Sequence, residues 1–276
     1  MSDQNAGRKA FNEGAFYPSY QNTFKIVRAD TDELREIAFR LRYGVYCQEN
    51  GFETGDGNGL EFDSYDEHAT SYLLFHKESG AAVGAGRLIM PNPDAIGKSF
   101  PIQEVTSHSI VHHRDLAAQI CQISRLCMSP HFRRRDKDGS LLPAYYPPGV
   151  ASAGSKGQLI YVRRKIPYAP LGLFAAMFEQ ALENNIMGVA AMFESSQLAG
   201  FKEMGISYKT LGPSTDYHGY QQPVLFNIKT VFDNMLIEQS DCWDVMTDNG
   251  RLHRMANELY ECLWEDGFLK KDDGTF

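Results

Sequence analysis

The stretch "QISRLCMSPHFRRRD" occupies residues 122–136 and decides how the fold of this chain is interpreted. Its first half belongs to an apolar run that starts at residue 119 and is typical of a β-strand. Arg125 lies in the middle of that run, and a buried guanidinium needs a carboxylate partner. Three further arginines follow, in a chain that is acidic overall. The sequence therefore predicts a core strand over 119–129 that leads directly into a basic segment.

The composition is that of a folded protein with a sizeable core. The chain has 276 residues, of which 43% are hydrophobic and 12% are aromatic. Its formal net charge is −8, which argues against non-specific binding to nucleic acid or to anionic membranes. A local basic patch is still compatible with that overall balance.

Signals for export, membrane insertion or metal binding are missing from the sequence. No apolar run reaches the roughly 20 residues that span a bilayer, and the polar N-terminus has no apolar signal-peptide segment. Five scattered cysteines, without a C-x-x-C pair, suit reduced thiols better than disulfides or a zinc site. We therefore expect a cytoplasmic protein with no integral membrane segment, no metal and no tightly bound cofactor.

The order of apolar patterns predicts one α/β domain of the α+β kind with a mixed sheet. A period of two residues indicates strands, and a period near 3.6 indicates helices. The predicted elements are strand 24–30, helix 33–52, loop 53–68, a hairpin over 69–90, strand 119–129, helix 171–186, strand 187–195, helix 196–205, and strands 206–213 and 221–229. The predicted divisions are a flexible arm over 1–22, a domain over 23–230 with a long insertion at 130–170, and a C-terminal helical extension over 231–276.

Four segments, taken in their order along the chain, resemble a known group of enzymes. They read "RLRYGVYCQENGFE", "EFDSYDEHA", "GAGRLIMP" and "QISRLCMSPHFRR". Together they resemble the motifs of autoinducer (acyl-homoserine-lactone) synthases and N-acyl amino acid synthases, with the closest likeness to PEP-CTERM/exosortase system-associated acyltransferases. The resemblance covers roughly residues 24–229. It implies acyltransferase activity and a GNAT-like three-layer fold, in which helices flank a mixed, mostly antiparallel central sheet.

The resemblance also implies which residues form the site, by their place in these motifs. The implied catalytic residues are Asp63, Asp66, Arg87, Gln122 and Arg125. The implied substrate-binding residues are Arg42, Tyr46, Phe52, Leu126, Met128 and Ser129, with backbone N–H groups near Leu126 to Ser129 expected to bind the thioester oxygen. Autoinducer synthases have Glu where this chain has Gln122. Because Gln cannot accept a proton as a carboxylate can, this departure puts homoserine-lactone synthesis in doubt.

The acidic loop is the candidate binding region for an amine. Asp63 and Asp66 are three residues apart, so one short turn could present both carboxylates to an ammonium group and share its proton. An inert, solvated Asp-rich loop is the alternative. Arg42 and Arg87 either pair with these carboxylates or bind the carboxylate of an amino-acid-like acceptor through a planar fork.

The resemblance implies that the donor's pantetheine arm lies between two diverging strands. No compact glycine-rich pyrophosphate loop follows the "QISRLCMSP" strand, which favours a donor without a nucleotide, such as the acidic acyl carrier protein. The basic residues predicted to dock that carrier are Arg133, Arg134, Arg135, Lys137, Arg163, Arg164 and Lys165. A solvated loop is the alternative for this run. The apolar face of helix 171–186, which includes Phe174 and Met177, is predicted to be core and could also line an acyl-chain pocket.

These observations lead to one leading functional hypothesis and two alternatives. The leading one is an N-acyltransferase that moves a fatty-acyl group from a thioester, on acyl carrier protein, to a small and possibly amino-acid-like amine by direct attack. The alternatives are an acyl-CoA or acetyl-CoA-dependent N-acetyltransferase and a non-catalytic protein that binds an acyl carrier. Acyl-phosphopantetheine or acyl-CoA would be the co-substrate.

Overall fold

The computed structural model describes residues 16–129 and 169–265, with the side chains of the last helix described as far as Cys262. Its eight strands form a sheet in the order β1-β2-β3-β4-β5-β8-β6, and β7 pairs with β8. All pairings are antiparallel except that of β4 with β5, which is parallel. The strands are β1 Phe24–Arg28, β2 Ala69–His76, β3 Ala82–Ile89, β4 Ile120–Met128, β5 Gly188–Phe193, β6 Lys209–Thr210, β7 Thr215–Asp216 and β8 Tyr220–Asn227.

Seven helices accompany the sheet in the described residues. They are α1 Phe16–Thr23, α2 Asp32–Arg42, α3 Leu171–Glu183, α4 Ser195–Glu203, α5 Ile228–Glu238, α6 Ser240–Met246 and α7 Arg251–Glu265. A π-helical segment, Tyr43–Glu49, continues α2, and single turns occur at Ser64–His68, Ile96–Lys98, Pro101–Glu104, Ser109–His112 and Arg114–Ala117.

The central hairpin of β2 and β3 is buried because helices cover both faces of the sheet. Every residue of β3 is buried, which is the expectation for a strand enclosed on both sides. On one face, Ile37 and Leu41 of α2 pack against Leu73 of β2. On the other face, Phe174 and Met177 of α3 belong to the main core. The mixed, mostly antiparallel, GNAT-like fold predicted from the sequence is confirmed.

Helix α2 begins where the sequence indicates a cap. The hydroxyl of Thr31 accepts a hydrogen bond from the N–H of Leu34 at 3.3 Å, which satisfies one of the free donors of the first turn. Asp32 and Glu33 add negative charge at the same end, where the helix dipole favours it. The helix therefore starts at a fixed point and carries Arg42, its last residue, to the edge of the core.

The flexible arm predicted for residues 1–22 is wrong for residues 16–22, which are helical. Phe16 and Tyr20 of α1 are buried, and the Tyr20 hydroxyl donates to the backbone oxygen of Ala169 at 2.6 Å. Buried aromatic area stabilises this short helix, a tertiary effect that the local sequence does not reveal. Residues 1–15 lie outside the described part of the chain, as does nearly all of the predicted insertion.

The C-terminal helices share the main core. Val231, Phe232, Met246 and Leu252 belong to the same buried cluster as α3. Helical structure begins at Ile228, three residues before the predicted extension. No disulfide joins any of the five cysteines, all of which lie in the described residues. Within the described ranges, no helix combines the length and the apolar character needed to cross a bilayer.

Candidate active site

Strands β4 and β5 run in parallel and then separate, which opens a cleft in the sheet. Their pairing extends only from Ile120 opposite Gly188 to Ile123 opposite Ala191. Beyond that point β5 continues along β8 as far as Phe193, and β4 continues along β3 as far as Met128. The two strands therefore separate after Ile123 and Ala191, which leaves a gap beside the motif strand.

A β-bulge marks the motif strand next to this gap. Ala85 pairs with Cys127 and Arg87 with Ser124, so two residues of β4 face the single residue Gly86. Arg125 has a φ of 51°, in the left-handed region that residues other than glycine seldom adopt. A Cβ on Gly86 would lie 3.3 Å from the Leu126 side chain, so a glycine opposite the bulge gives that side chain room.

A short turn places both predicted carboxylates. Asp63 caps the single turn Ser64–His68 by accepting from the N–H of Tyr65, and Asp66 accepts from the N–H of Asp63 at 2.9 Å. This reciprocal capping box fixes the loop locally. Asp63 and Asp66 thus point in the same direction, as their spacing predicts, and meet arginines from three other elements.

Arg42 and Arg87 are wholly buried and fully engaged by this turn. The Arg42 guanidinium makes a bidentate contact with Asp66 at 2.8 and 3.0 Å and also binds Glu61. Arg87 makes the equivalent contact with Asp63 at 2.6 and 3.0 Å. Their relative exposures are 1% and 0%. The geometry favours the salt-bridge alternative for both arginines, and the substrate-binding role of Arg42 stays a prediction.

Arg125 extends the same network to the cleft. Its guanidinium donates to Glu61 at 2.9 Å, to Glu53 at 2.7 Å and to Asp63 at 3.2 Å, and it lies over the ring of Tyr46. The sequence predicts a carboxylate partner for Arg125, and the structure shows three such partners. With Arg42 and Arg87 the network joins three arginines to four carboxylates, so it has one more negative than positive charge.

The network holds both aspartates ionised. Burial by itself would raise the pKa of Asp66, but the hydrogen bonds and charge of Arg42 and the charge of Arg87 lower it to about 2. Burial likewise opposes the change at Asp63, yet the contacts with Arg87 lower its pKa. Such carboxylates are weak bases at neutral pH. In this geometry both carboxylates hold the arginines in place, and their role towards an amine stays a prediction.

The cleft contains a cavity of about 640 Å³, a size typical of small-molecule sites. Its walls include the β4 segment from Gln122 to Met128, residues at the N-terminal end of α3, and the end of β5. Phe174, predicted as core with a possible pocket role, is buried and also lines the cavity. The structure thus joins an apolar pocket to the polar end of the Arg125 network.

The predicted residues divide into those that line the cavity and those that do not. The lining group contains Tyr46, Phe52, Gln122, Arg125, Leu126 and Met128. Ser129 is not in that group: its N–H donates to the Val83 oxygen at 2.8 Å, which extends the sheet pairing and removes it as an oxyanion donor. The residues that do not line the cavity also include Asp63, Asp66, Arg42 and Arg87. The predicted carrier-docking residues lie outside the described part of the chain.

Two cavity residues were missed by the sequence reasoning. His218 and Glu53 both line the cavity, and His218 Nε2 lies 3.5 Å from Glu53 Oε1. His218 lies in the three-residue loop of the β7–β8 hairpin, where it has a φ of 53° and Gly219 has a φ of 95°. The signal was present as "YHGY" over 217–220, since a His-Gly pair between two short polar runs is typical of a hairpin turn.

Comparisons with known proteins agree with the fold. Residues 41–142 match a family model described as an acetyltransferase (GNAT) domain. The sequence matches no curated protein. Similar solved structures include TofI in a ternary complex with an inhibitor and MTA (TM-score 0.53, 13% identity, 80% of this chain and 100% of TofI). They also include the AHL synthase LasI (0.51, 16%, 78% and 97%). The N-acyl amino acid synthase FeeM from uncultured soil microbes has a TM-score of 0.49 (14%, 79% and 97%). The fold is GNAT-like, and the matched domain supports an acyltransferase.

Proposed function

We propose that this protein is an N-acyltransferase that transfers a fatty-acyl group from an acyl thioester to a small amine. The observation that carries this proposal is the separation of β4 from β5 after Ile123 and Ala191. An extended thioester arm fits such a gap as an additional strand, because backbone groups on a free strand edge can pair with it. The apolar pocket beside Phe174 then receives the acyl chain.

The bulge supplies the polarising group for the thioester carbonyl. A bulge leaves one residue of the longer strand outside the hydrogen-bond ladder, and here the N–H of Leu126 is the candidate donor to the developing oxyanion. The amine nitrogen attacks the carbonyl carbon, the C–N bond forms, and the C–S bond breaks. The thiolate leaves as the thiol once it takes up the proton that the amine loses.

His218 accepts that proton in the proposed mechanism. Its imidazole lines the cavity and its Nε2 lies 3.5 Å from Glu53 Oε1, so the carboxylate orients the ring and stabilises the imidazolium. Glu53 also accepts from Arg125 at 2.7 Å, which ties the base to the buried network. This pair takes over the role that the sequence assigned to the Asp63 loop.

The donor is proposed to be an acyl carrier protein, with acyl-CoA as the competing donor. The basic run at 133–135 follows the cleft strand in sequence, and Arg163, Arg164 and Lys165 precede the helix that closes the pocket. An acidic carrier complements such a run. The proposed donor does not depend on the likeness to exosortase-associated acyltransferases, which is a likeness in the order of motifs.

The test is a thiol-release assay with product identification. The purified protein is incubated with acyl carrier protein or CoA carrying the same acyl chain and with a panel of amino acids and simple amines, and the products are identified by mass spectrometry. An acylated amine formed together with stoichiometric free thiol supports the proposal, and the faster donor identifies the carrier. Binding of acyl carrier without thiol release from any amine would instead favour the non-catalytic alternative.

A further inference from the structure

Gln122 occupies the apex of the cleft with a fixed orientation. It is the last residue but one before β4 leaves β5, it is 0% exposed, and it lines the cavity. Its Oε1 accepts a hydrogen bond from the backbone N–H of Ile102 at 3.0 Å. A flipped amide would point its NH₂ at that N–H, two donors facing each other, so the network assigns oxygen to this side and nitrogen to the other.

The nitrogen of the same amide has no acceptor in residues 16–129 and 169–265. Gln122 Nε2 is buried and makes no hydrogen bond there. Leaving such a donor unsatisfied costs about 1–3 kcal/mol, and buried polar groups of this kind are rare in folded proteins. Since the residue lines a cavity of about 640 Å³, a bound molecule can supply the missing acceptor.

The apolar surroundings of Gln122 favour an uncharged acceptor for its Nε2. Its strand partners Ile89 and Ala190 are wholly buried, and so is Ile102, the residue whose N–H its Oε1 binds. A carboxylate placed there would be desolvated with a single neutral donor to compensate for it, which is unfavourable. A carbonyl or hydroxyl oxygen needs only that one hydrogen bond.

We propose that Gln122 is a specificity-determining residue whose Nε2 donates a hydrogen bond to a neutral oxygen, a carbonyl or a hydroxyl, of the bound substrate. The inference rests on the proposed function for the identity of that substrate. Two sources share this chemistry: an oxygen substituent on the acyl chain close to the thioester, and a carbonyl or hydroxyl oxygen of the amine. The acyl chain is favoured, because the apex of the gap is the deepest point that an inserted thioester arm reaches.

The experiment compares matched substrates that differ by one oxygen. One arm uses 3-hydroxyacyl and saturated acyl thioesters of equal length with one amine, and the other uses amines with and without a hydroxyl or carbonyl group with one donor. The quantity measured is the ratio of kcat/KM within each pair, together with the ratio of Kd for the donors by calorimetry. The wild-type protein is expected to favour the oxygenated member of one pair by about tenfold, the value of one buried hydrogen bond.

Two variants separate hydrogen bonding from folding. Gln122→Leu removes both polar atoms of the amide with a branched side chain, and Gln122→Met removes them with an unbranched one. In each, the tenfold ratio is expected to fall towards one. Gln119→Met, a half-buried glutamine outside the cavity, is the matched control and retains the ratio.

The outcomes are distinguishable. A wild-type protein that turns over or binds both members of each pair equally overturns the inference and leaves the proposed function intact. A preference that survives in both variants overturns it as well. If no pair releases thiol, the proposed function fails, and the ratio of Kd values alone still decides whether Gln122 recognises an oxygen.

Discussion

At the scale of single residues, the burial of Arg42 predicts a large contribution to stability. Arg42→Met leaves Glu61 and Asp66 without their main partner in a buried site, so we expect the free energy of unfolding to fall by about 3–5 kcal/mol. Arg40→Met on the same helix is the control. Arg40 pairs with Glu36 on an exposed surface, where such pairs contribute about 0–1 kcal/mol. Equal effects in urea denaturation would contradict the prediction.

Asp66 predicts a specific pH dependence of stability. Its pKa of about 2 lies below the unfolded value of about 3.9, so at pH 3 the unfolded chain binds more protons than the folded one. The stabilisation is therefore present above about pH 4 and is lost as the pH falls towards 2. We expect Asp66→Asn to flatten the fall in the free energy of unfolding between pH 4 and 2, measured by denaturation at each pH. An unchanged slope would mean that Asp66 is not held ionised.

His218 predicts a loss of rate with little loss of fold. If its imidazole accepts the amine proton, His218→Asn should reduce kcat by about 10²–10⁴. Because the residue lies in a partly exposed hairpin loop, the free energy of unfolding should change little. Tyr220→Phe, at an exposed position outside the cavity, is the control and should retain most of the rate. A His218→Asn variant with full kcat would show that the proton leaves by another route.

At the scale of elements, local periodicity predicted most of the sheet and the helices next to it. Strands β1 to β5 and β8 and helices α3 and α4 occur within a few residues of the predicted ranges, because their own side chains set the pattern of burial. The predicted helix 33–52 is α2 together with the π-helical segment that continues it to Glu49. Predicted strand 206–213 shrinks to Lys209–Thr210, since both residues are exposed at a sheet edge, where strands are commonly short. The bulge at Arg125 and the π-helical turn after α2 depend on tertiary contacts and have no local signal.

The same distinction explains the site. The pairing of Arg125 with acidic residues was predictable, because a mid-strand arginine needs a counter-charge. The sequence could not predict which carboxylates face solvent and which face the core. That depends on how the turn at Asp63 packs against β3. The motif positions therefore fall together in one ion-pair network, while the groups proposed to act on a substrate, Glu53 and His218, come from a loop and a hairpin outside the motif strand.

The cleft between strands β4 and β5 predicts that the protein selects acyl donors by the length of their acyl chain. Met192 lies on β5 beyond the last residue that pairs with β4 and lines the cavity. We expect Met192→Trp to fill part of the pocket and to reduce kcat/KM for long acyl donors by at least tenfold relative to short ones, since steric differences of this size correspond to about 1–3 kcal/mol. Leu236→Trp, on the exposed side of α5, is the control. A uniform change for all chain lengths would argue against an acyl pocket there.

At the scale of the whole molecule, the distribution of charge predicts how the donor is recognised. The chain has a net charge of −8, so an acidic carrier would be repelled unless it approached a local basic surface. The arginines at 133–135 and 163–164 are the candidates from the sequence. Exposed charge pairs are screened over about 10 Å at 0.1 M salt. We therefore expect KM for acyl carrier protein to rise several-fold between low and physiological salt, with little change in kcat.

A neutral donor separates docking from chemistry in this last prediction. Acyl-pantetheine carries the same thioester without a charged carrier, so its turnover should be nearly independent of salt. Arg134→Glu should raise KM for acyl carrier protein several-fold and leave acyl-pantetheine unaffected. Arg254→Glu, at an exposed position of α7, makes the same change in net charge and is expected to have a much smaller effect, because long-range repulsion alone is weak at this ionic strength. If the two variants behave alike, overall charge and not a local basic surface governs the encounter, and the carrier would then have to be recognised through the cleft itself.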